Sequence, residues 1–298
     1  IYIIDGVRTP IGAYLGQYKK TESVELGAHC LQDLFQRNKK IEKNDAEGLV
    51  LGQVLTSGLG MNTARQVALK SGMSQSSFAY VVNQVCGSGM RAAIEACLKI
   101  HIKECDLVIA GGQESMSRAR HTYLSRTGEK KLGNNVFIDT LVHDGLTDAF
   151  SQEHMGITAE NVARKYNVTR QEQDQYAYGS YLKTYKALKN KYFKNELCKT
   201  TLKDEVRADT TLAKLSQLKP VFKKKGSVSA GNASSLNDGA SFLAFASSEY
   251  IKANKIKPIA KILSWSSSAG NPDYMGITPI TAIQKLMKKM SVNISYFD

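Results

Sequence analysis

Apolar and polar positions along the first 117 residues predict strands and helices in turn. Short β-branched runs predict four strands, at residues 1–4, 49–55, 78–85 and 107–110. Apolar residues at helical spacing predict three helices between them, at residues 24–37, 62–70 and 88–103. This alternation predicts an α/β layer with a largely parallel central sheet and helices on its faces.

From about Glu114 to Lys225 the strand pattern gives way to a helical one. We predict a helix over residues 158–166, followed by a long helix whose first turn carries a capping box of Thr169 and Glu172. Further along, the pattern predicts strands at residues 241–246 and 258–263 and a helix with Pro279 near its start. Residues 118–225 therefore look like an insertion into the α/β layer.

A cysteine stands where the third predicted strand ends and the third predicted helix begins. Cys86 lies in the run Gln-Val-Cys-Gly-Ser-Gly, and its glycines permit a sharp strand-to-helix turn. The first turn of a helix has free N–H groups and a positive dipole end, which favour a thiolate. The Ala-rich helix after it is apolar on more than one side, so we predict that it is buried. A cysteine in a tight turn is commonly a small buried residue, but this context favours a nucleophile.

Composition excludes several classes of protein. Hydrophobic residues make up 42% of the 298-residue chain and charged residues 22%, which is ordinary for a soluble globular protein. No apolar run approaches the roughly 20 residues that span a bilayer, so we expect no membrane partner. The five cysteines are odd in number and none is spaced as Cys-x-x-Cys, so neither a disulfide framework nor a zinc site is predicted. A reducing, cytoplasmic location fits best.

The positive charge is concentrated in the predicted insertion. Residues 118–225 hold 21 Lys and Arg against 12 Asp and Glu, so they carry nine of the chain's net thirteen positive charges. Most such lysines lie on solvated helix faces, but a phosphate-bearing small molecule would gain from the field. Nucleic acid would need a reading element, and the aromatic residues are not interleaved with the basic ones as base stacking requires. We therefore expect no nucleic-acid partner.

Five motifs occur together and in order. They are residues 5–10 (Asp-Gly-Val-Arg-Thr-Pro), 83–89 (Asn-Gln-Val-Cys-Gly-Ser-Gly), 111–117 (Gly-Gly-Gln-Glu-Ser-Met-Ser), 154–161 (His-Met-Gly-Ile-Thr-Ala-Glu-Asn) and 230–234 (Ala-Gly-Asn-Ala-Ser). With these motifs the chain resembles the thiolases, and most closely the biosynthetic acetoacetyl-CoA thiolases, over essentially its whole length. The resemblance implies an acyltransferase that condenses two acetyl-CoA to acetoacetyl-CoA and CoA, or runs the reverse thiolysis.

The resemblance also implies an architecture. The fold class is then α/β, with a thiolase-like layered α/β/α N-terminal domain that has a mixed sheet. This domain takes residues 1–117 and 226–262, and an inserted, mainly helical loop domain over residues 118–225 covers the CoA. Residues 263–298 would begin a second, similar α/β domain that is truncated here. The family is usually dimeric or tetrameric, so we expect a homodimer or homotetramer.

The resemblance assigns roles to particular residues. Cys86 matches the nucleophile, which carries the acyl group as a thioester. The substrate is a coenzyme A thioester, with no further cofactor and no metal. The positions that match the family's CoA site are Leu146, His154, Met155, Arg207, Val221, Phe222, Ala230, Gly231 and Ser234.

The remaining catalytic motifs of the family do not occur in these 298 residues. They are an Asn-Glu-Ala-Phe segment, a Gly-His-Pro histidine that activates the nucleophile, and a Cys-x-Gly cysteine that deprotonates the second acetyl-CoA. The His154-Met155 pair favours short acyl groups. A degradative 3-ketoacyl-CoA thiolase of broader chain length and a non-catalytic CoA-binding protein remain alternatives.

Overall fold

The computed structural model describes residues 1–127, 132–207 and 209–298. The strands are β1 (Tyr2–Arg8), β2 (Gly12–Ala13), β3 (Gly48–Gly52), β4 (Phe78–Val82), β5 (Leu107–Ser115), β6 (His121–Thr122), β7 (Ile138–Asp139), β8 (Asn237–Ala246) and β9 (Ala260–Lys261). The α-helices are α1 (Ser23–Arg37), α2 (Thr63–Ser71), α3 (Ser88–His101), α4 (Thr140–Gly145), α5 (Met155–Lys165), α6 (Arg170–Lys189), α7 (Leu212–Ser216), α8 (Ser248–Ala253) and α9 (Thr278–Met290). Short 3₁₀ turns cover Met116–Arg118, Pro272–Ile277 and Ile294–Tyr296.

The chain divides into two compact units. The sheet unit consists of Ile1–Gly145, Tyr192–Glu205 and Leu236–Ile262, and the helical unit consists of Leu146–Lys191, Val206–Ser235 and Leu263–Asp298. All the strands given above lie in the sheet unit, whereas α5, α6, α7 and α9 lie in the helical unit. These units and the domains expected from the resemblance are different divisions of the chain, and the domain bounds remain a prediction.

The central sheet of the sheet unit is mixed. Its strand order is β4-β3-β5-β8-β1-β9, with β2 paired to β8. β3 pairs in parallel with β4 and β5, while β8 is antiparallel to both β5 and β1. The mixed sheet of the predicted fold class is thus present.

The expectation of a largely parallel sheet needs a correction. β1, β3, β4 and β5 run in one direction, but β8 lies between β5 and β1 in the opposite direction. β8 enters the sheet after a long excursion of the chain. A buried apolar run shows that a strand lies in the sheet but carries no signal of its direction, so the pattern could not predict this.

Helices cover both faces of this sheet. Leu49 and Leu51 of β3 belong to the buried cluster that α1 and α2 complete. Val50, between them, points to the opposite face, where α3 packs against β3 and β5. Because every residue of β3 is buried, the strand reads as a continuous apolar run rather than an alternating one.

Most predicted elements are present, with shifted ends. The helix predicted over residues 158–166 is α5, and α6 begins after Thr169 with the capping box of Thr169 and Glu172 in place. The shorter α4, which precedes α5 in the predicted insertion, was not predicted. The fourth predicted strand runs on to Ser115, and the last, predicted over residues 258–263, is reduced to Ala260–Lys261. Pro279 lies in the first turn of α9, as predicted.

Candidate active site

Cys86 lies in the loop over residues 83–87 that joins β4 to α3, which we call the cysteine loop. All five cysteines are free, and Cys86 is exposed whereas the other four are buried. Burial raises the pKa of Cys97, Cys105 and Cys198 to about 11 and raises that of Cys30 as well. A thiolate is disfavoured at those four positions, so Cys86 is the thiol that a substrate can reach.

The backbone of the cysteine loop is strained immediately before Cys86. Val85 has a φ of +48°, in the left-handed region, which costs an L-residue about 1–2 kcal/mol and is an outlier for a β-branched side chain. Asn83 Oδ1 accepts the N–H of Val85 at 2.9 Å. The strand predicted over residues 78–85 is shorter in the structure and stops at Val82, three residues before this left-handed position.

Two N–H groups at the start of α3 close the cysteine loop. The N–H of Gly87 donates to the carbonyl oxygen of Gln84 at 3.0 Å, and that of Ser88 to the carbonyl oxygen of Val85 at 3.1 Å. Gly87 is the N-cap and supplies no side-chain cap. The expectation that the helix start offers donors to an acyl oxygen at Cys86 remains a prediction.

Two glycines let α3 begin directly on the sheet. A Cβ added to Gly52, at the end of β3, would lie 2.5 Å from the carbonyl carbon of Ser88 and 2.6 Å from the nitrogen of Gly89. A Cβ on Gly112 of β5 would lie 3.7 Å from the Cα of Gly89. The first turn of α3 therefore packs directly against the backbone of these two glycines. The end of the cysteine loop is held there with it.

The prediction that α3 is buried on more than one side holds along its middle but not at its ends. Ala92 and Ile94, which are two residues apart and so lie on opposite sides of the helix, are both buried. Met90 in the first turn is 71% exposed, and His101 in the last turn is exposed.

A half-buried carboxyl group, that of Glu114, lies near the ends of β3 and β5. Glu114 accepts the N–H of Val54 at 2.9 Å and that of Leu55 at 3.3 Å. Burial, with a smaller contribution from nearby Asp238, raises the pKa of Glu114 from 4.5 to about 7, although the two N–H donors act in the opposite direction. The proton of Glu114 is thus held more tightly than that of an ordinary glutamate.

The nine residues expected at the CoA site all lie in the helical unit. His154 is the N-cap of α5, and its Nδ1 accepts the N–H of Gly156 at 3.0 Å. Its ring stacks on Phe222 with the ring centroids 4.7 Å apart, and Gly156 leaves room for that ring. The N–H of Met155 donates to the carbonyl oxygen of Leu146 at 2.8 Å. Burial lowers the pKa of His154, so a neutral imidazole that accepts this bond is favoured.

The segment over residues 220–234 carries the other members of the set apart from Arg207. Val221 donates its N–H to the carbonyl oxygen of Val228 at 3.0 Å, and Pro220 forms an antiparallel bridge with Ser229. Gly231 is buried where a Cβ would meet Leu215. The segment is therefore a closed loop with defined ends.

A buried glutamate holds this loop. Glu160 of α5 accepts the N–H of Ser227 at 2.8 Å and that of Val228 at 2.8 Å, and the hydroxyl of Ser227 also donates to it at 3.1 Å. Glu160 is 8% exposed. These three donors on one carboxylate fasten the loop to α5.

A second carboxylate holds the same loop from α6. Asp174 accepts Nδ2 of Asn232 at 2.9 Å and Nε of Arg170 at 2.8 Å. The side chain of Asn232 also accepts the N–H of Ser229 at 2.8 Å. The amide of Asn232 thus bonds to Ser229 within the loop and to the ion pair of Arg170 and Asp174 on α6.

Arg207, Ala230 and Ser234 are exposed. The hydroxyl of Thr210 donates to the carbonyl oxygen of Arg207 at 3.1 Å. Over residues 1–127, 132–207 and 209–298, no recorded hydrogen bond, ion pair or ring contact joins the side chain of Arg207 or Ser234 to the His154–Phe222 stack. The structure therefore bonds Leu146 to Met155 and stacks His154 on Phe222, without such a link to Arg207 or Ser234.

Known proteins of one family match nearly the whole chain. The sequence profile described as thiolase, N-terminal domain, matches residues 1–249. The chain belongs to the thiolase family. Its relatives include an acetyl-CoA acetyltransferase from Rhizobium meliloti (strain 1021), which is 40% identical over 99% of this chain and 77% of the relative. A probable acetyl-CoA acyltransferase from Staphylococcus aureus (strain COL) is 37% identical over 98% of this chain and 77% of the relative.

A solved thiolase has the same fold. The crystal structure of the Acat5 thiolase from Ascaris suum in complex with coenzyme A matches with a TM-score of 0.94 and 33% sequence identity, covering 99% of this chain and 78% of that one. The predicted resemblance and the predicted fold class are confirmed. The roles assigned to Cys86 and to the nine CoA-site residues remain predictions.

Sequence reasoning missed three supporting residues of this thiolase. Ser88, Glu160 and Asn232 each stand inside one of the five motifs, and each bonds to backbone or to a buried group. The available signal was a polar residue among small or apolar neighbours. Among the described residues, no group of His, Cys, Asp and Glu is arranged to hold a metal, and no helix is both long and apolar enough to cross a bilayer.

Proposed function

We propose that this protein is an acyl-CoA:acyl-CoA acyltransferase that makes or cleaves acetoacetyl-CoA through an acetyl thioester on Cys86. The observation that carries the proposal is the one exposed thiol among five cysteines, fixed in a family motif by a strained loop. The relatives named as acetyl-CoA acetyltransferases support the same reaction.

The proposed chemistry has two steps. The sulfur of Cys86 attacks the acetyl carbonyl of acetyl-CoA, the bond to the CoA sulfur breaks, and the CoA thiolate takes the thiol proton. The α-carbon of a second acetyl-CoA, after losing a proton to a base, then attacks the acetyl-Cys86 carbonyl. A new carbon–carbon bond forms as the Cys86 sulfur leaves. The family motifs expected to supply that base do not occur in these 298 residues.

We assign CoA binding to the helical unit. Phe222, Met155 and Leu146 would give the pantetheine an apolar wall, and His154 would contribute its ring face. Arg207 would meet the phosphates of the nucleotide, where a guanidinium forms strong charge-assisted bonds. The concentration of positive charge over residues 118–225 supports a polyanionic ligand. The solved thiolase, named as a complex with coenzyme A, supports this assignment.

Chain-length preference is the test of the acetoacetyl-CoA assignment. Thiolysis rates are measured with CoA and either acetoacetyl-CoA or a long-chain 3-ketoacyl-CoA. We expect kcat/KM to be at least about tenfold higher for acetoacetyl-CoA. A strong preference for the long chain would instead indicate a degradative 3-ketoacyl-CoA thiolase. The relatives named as probable acetyl-CoA acyltransferases support that alternative.

A non-catalytic CoA-binding protein is the second candidate. It predicts CoA binding, measured by calorimetry, with no acetyl group transferred to Cys86 from acetyl-CoA. A cytoplasmic homodimer or homotetramer completes the proposal, and sedimentation velocity measures the oligomeric state directly.

A further inference from the structure

The hydroxyl of Ser88 bonds to both residues that precede Cys86. The N–H of Gln84 donates to Ser88 Oγ at 2.8 Å, and the same oxygen donates to the carbonyl oxygen of Val85 at 2.6 Å. Ser88 is only 4% exposed, whereas Gln84 and Cys86 are exposed. One buried hydroxyl therefore closes the cysteine loop from its inner side.

This hydroxyl restrains the strained residue of the loop. The carbonyl that it holds belongs to the peptide bond between Val85 and Cys86. Val85 has a left-handed backbone that its β-branched side chain disfavours, so the loop relaxes unless its neighbours restrain it. Relaxation of Val85 rotates that peptide and redirects the side chain of Cys86.

Ser88 is itself fixed by the sheet. The close approach of Gly52 to the carbonyl carbon of Ser88 leaves no space for the first turn of α3 to move inward. The N–H of Arg91 donates to the carbonyl oxygen of Gly87 at 2.9 Å, which starts the helical ladder at this turn. The Ser88 hydroxyl thus connects a rigid support to a strained loop.

We propose that Ser88 is a positioning residue for the formation of the acetyl thioester on Cys86, an inference that rests on the proposed function of that cysteine. Ser88 acts through the backbone of Val85 and not on the substrate. Its loss slows the step in which the Cys86 sulfur bonds to the acetyl carbon and the CoA thiolate leaves with the proton. CoA binding is unchanged, because the residues assigned to it lie in the helical unit.

The chain offers a matched control for the loss of a buried serine hydroxyl. Ser71 is 6% exposed, and its hydroxyl donates to the carbonyl oxygen of Ala68, three residues earlier, at 2.9 Å. Ser88 bonds to Val85 at the same separation along the chain. Ser71→Ala therefore reports the generic effect of such a change at a position away from the cysteine loop.

The rate of Cys86 acetylation is measured by mass spectrometry at saturating acetyl-CoA, and the CoA dissociation constant by calorimetry. For Ser88→Ala we expect an acetylation rate at least about tenfold lower and a dissociation constant within about twofold of wild type. Ser71→Ala should leave both values within about twofold. A Ser88→Ala rate equal to that of Ser71→Ala overturns the inference.

An isosteric pair keeps the test decisive if Ser88→Ala folds poorly. Ser88→Thr and Ser88→Val have the same shape and differ only in the hydroxyl, so any effect of bulk is shared. The threonine variant should acetylate at least about fivefold faster than the valine variant, and equal rates would refute the positioning role. Absence of acetyl-Cys86 in the wild type is a different result, since it removes the proposed function itself.

Discussion

The cysteine loop and the loop over residues 220–234 are held in place by different kinds of interaction. The cysteine loop relies on uncharged groups: a strained Val85, the hydroxyl of Ser88 and the bare backbone of Gly52. The 220–234 loop is held by the buried carboxylates of Glu160 and Asp174. Steric fit fixes the direction of one side chain, whereas ion and amide bonds anchor a whole loop. The first arrangement suits a reacting group, and the second suits a surface that binds a ligand.

The largest effect that tests this contrast is expected from Cys86→Ser. A serine hydroxyl is a far weaker nucleophile than a thiolate, so thiolysis activity should fall by at least about 10³-fold. Because Cys86 is exposed, thermal unfolding and the CoA dissociation constant should be unchanged. If unfolding shifts as far as activity does, Cys86 is a structural residue and the contrast between the loops is lost.

A smaller change probes the steric support of the cysteine loop. Gly52→Ala places a methyl group 2.5 Å from the Ser88 carbonyl carbon, so we expect the free energy of unfolding to fall by about 3 kcal/mol and acetylation of Cys86 to slow. Gly179→Ala in α6 is the control, because an added Cβ there meets no atom within 4 Å.

The control should have the opposite sign. Replacing a glycine inside a helix raises stability by about 0.5–1 kcal/mol, and denaturant unfolding measures both variants. A Gly52→Ala protein as stable as wild type, with a normal acetylation rate, would show that α3 is free to shift away from the sheet.

The carboxylate support of the second loop is tested by Glu160→Gln. An amide cannot accept all three donors of Ser227 and Val228, so stability should fall by about 2–3 kcal/mol and the CoA dissociation constant should rise about tenfold. Acetylation of Cys86 at saturating acetyl-CoA should stay within about twofold. The exposed Glu153→Gln serves as the control. An unchanged CoA affinity in Glu160→Gln would separate this loop from CoA binding.

The last predicted effect concerns the carboxyl group of Glu114 in the sheet unit. The pKa of Glu114 is raised from 4.5 to about 7, so folding favours its protonated form. Its contribution to stability is fully present below pH 4.5 and is lost as the pH rises through about 7.

The loss of stability through this window should be about 3 kcal/mol. Glu114→Gln cannot titrate, so its thermal unfolding should depend less on pH than that of the wild type between about pH 5 and pH 8. Identical pH profiles for the two proteins would mean that Glu114 is ionised in the fold at little cost.

The sequence predicted features that depend on local patterns. Thr169 and Glu172 opened α6 because a capping box is complete within four residues. Cys86 was placed between a strand and a helix because the change in periodicity is local. The direction of β8 was not predictable, since it depends on which strands it meets after a long excursion.

The support of both loops was also beyond the sequence. Val85 is β-branched, which favours a strand, and its left-handed conformation with bonds to Asn83 and Ser88 is seen only in the structure. In the sequence, Glu160 looks like an ordinary glutamate of a helix. Its hydrogen-bond donors are Ser227 and Val228, which lie more than 60 residues later in the chain. Contacts between residues so far apart in the sequence produce no periodic pattern of apolar and polar positions.

The most direct test of the account is to locate the acetyl group after the protein has been incubated with acetyl-CoA and digested. All five cysteines are present and free, so the protein itself offers four internal controls. We predict acetylation at Cys86 alone, with release of one CoA for each acetyl group bound. Acetylation of a buried cysteine in preference to Cys86, or no thioester at all, would contradict the account.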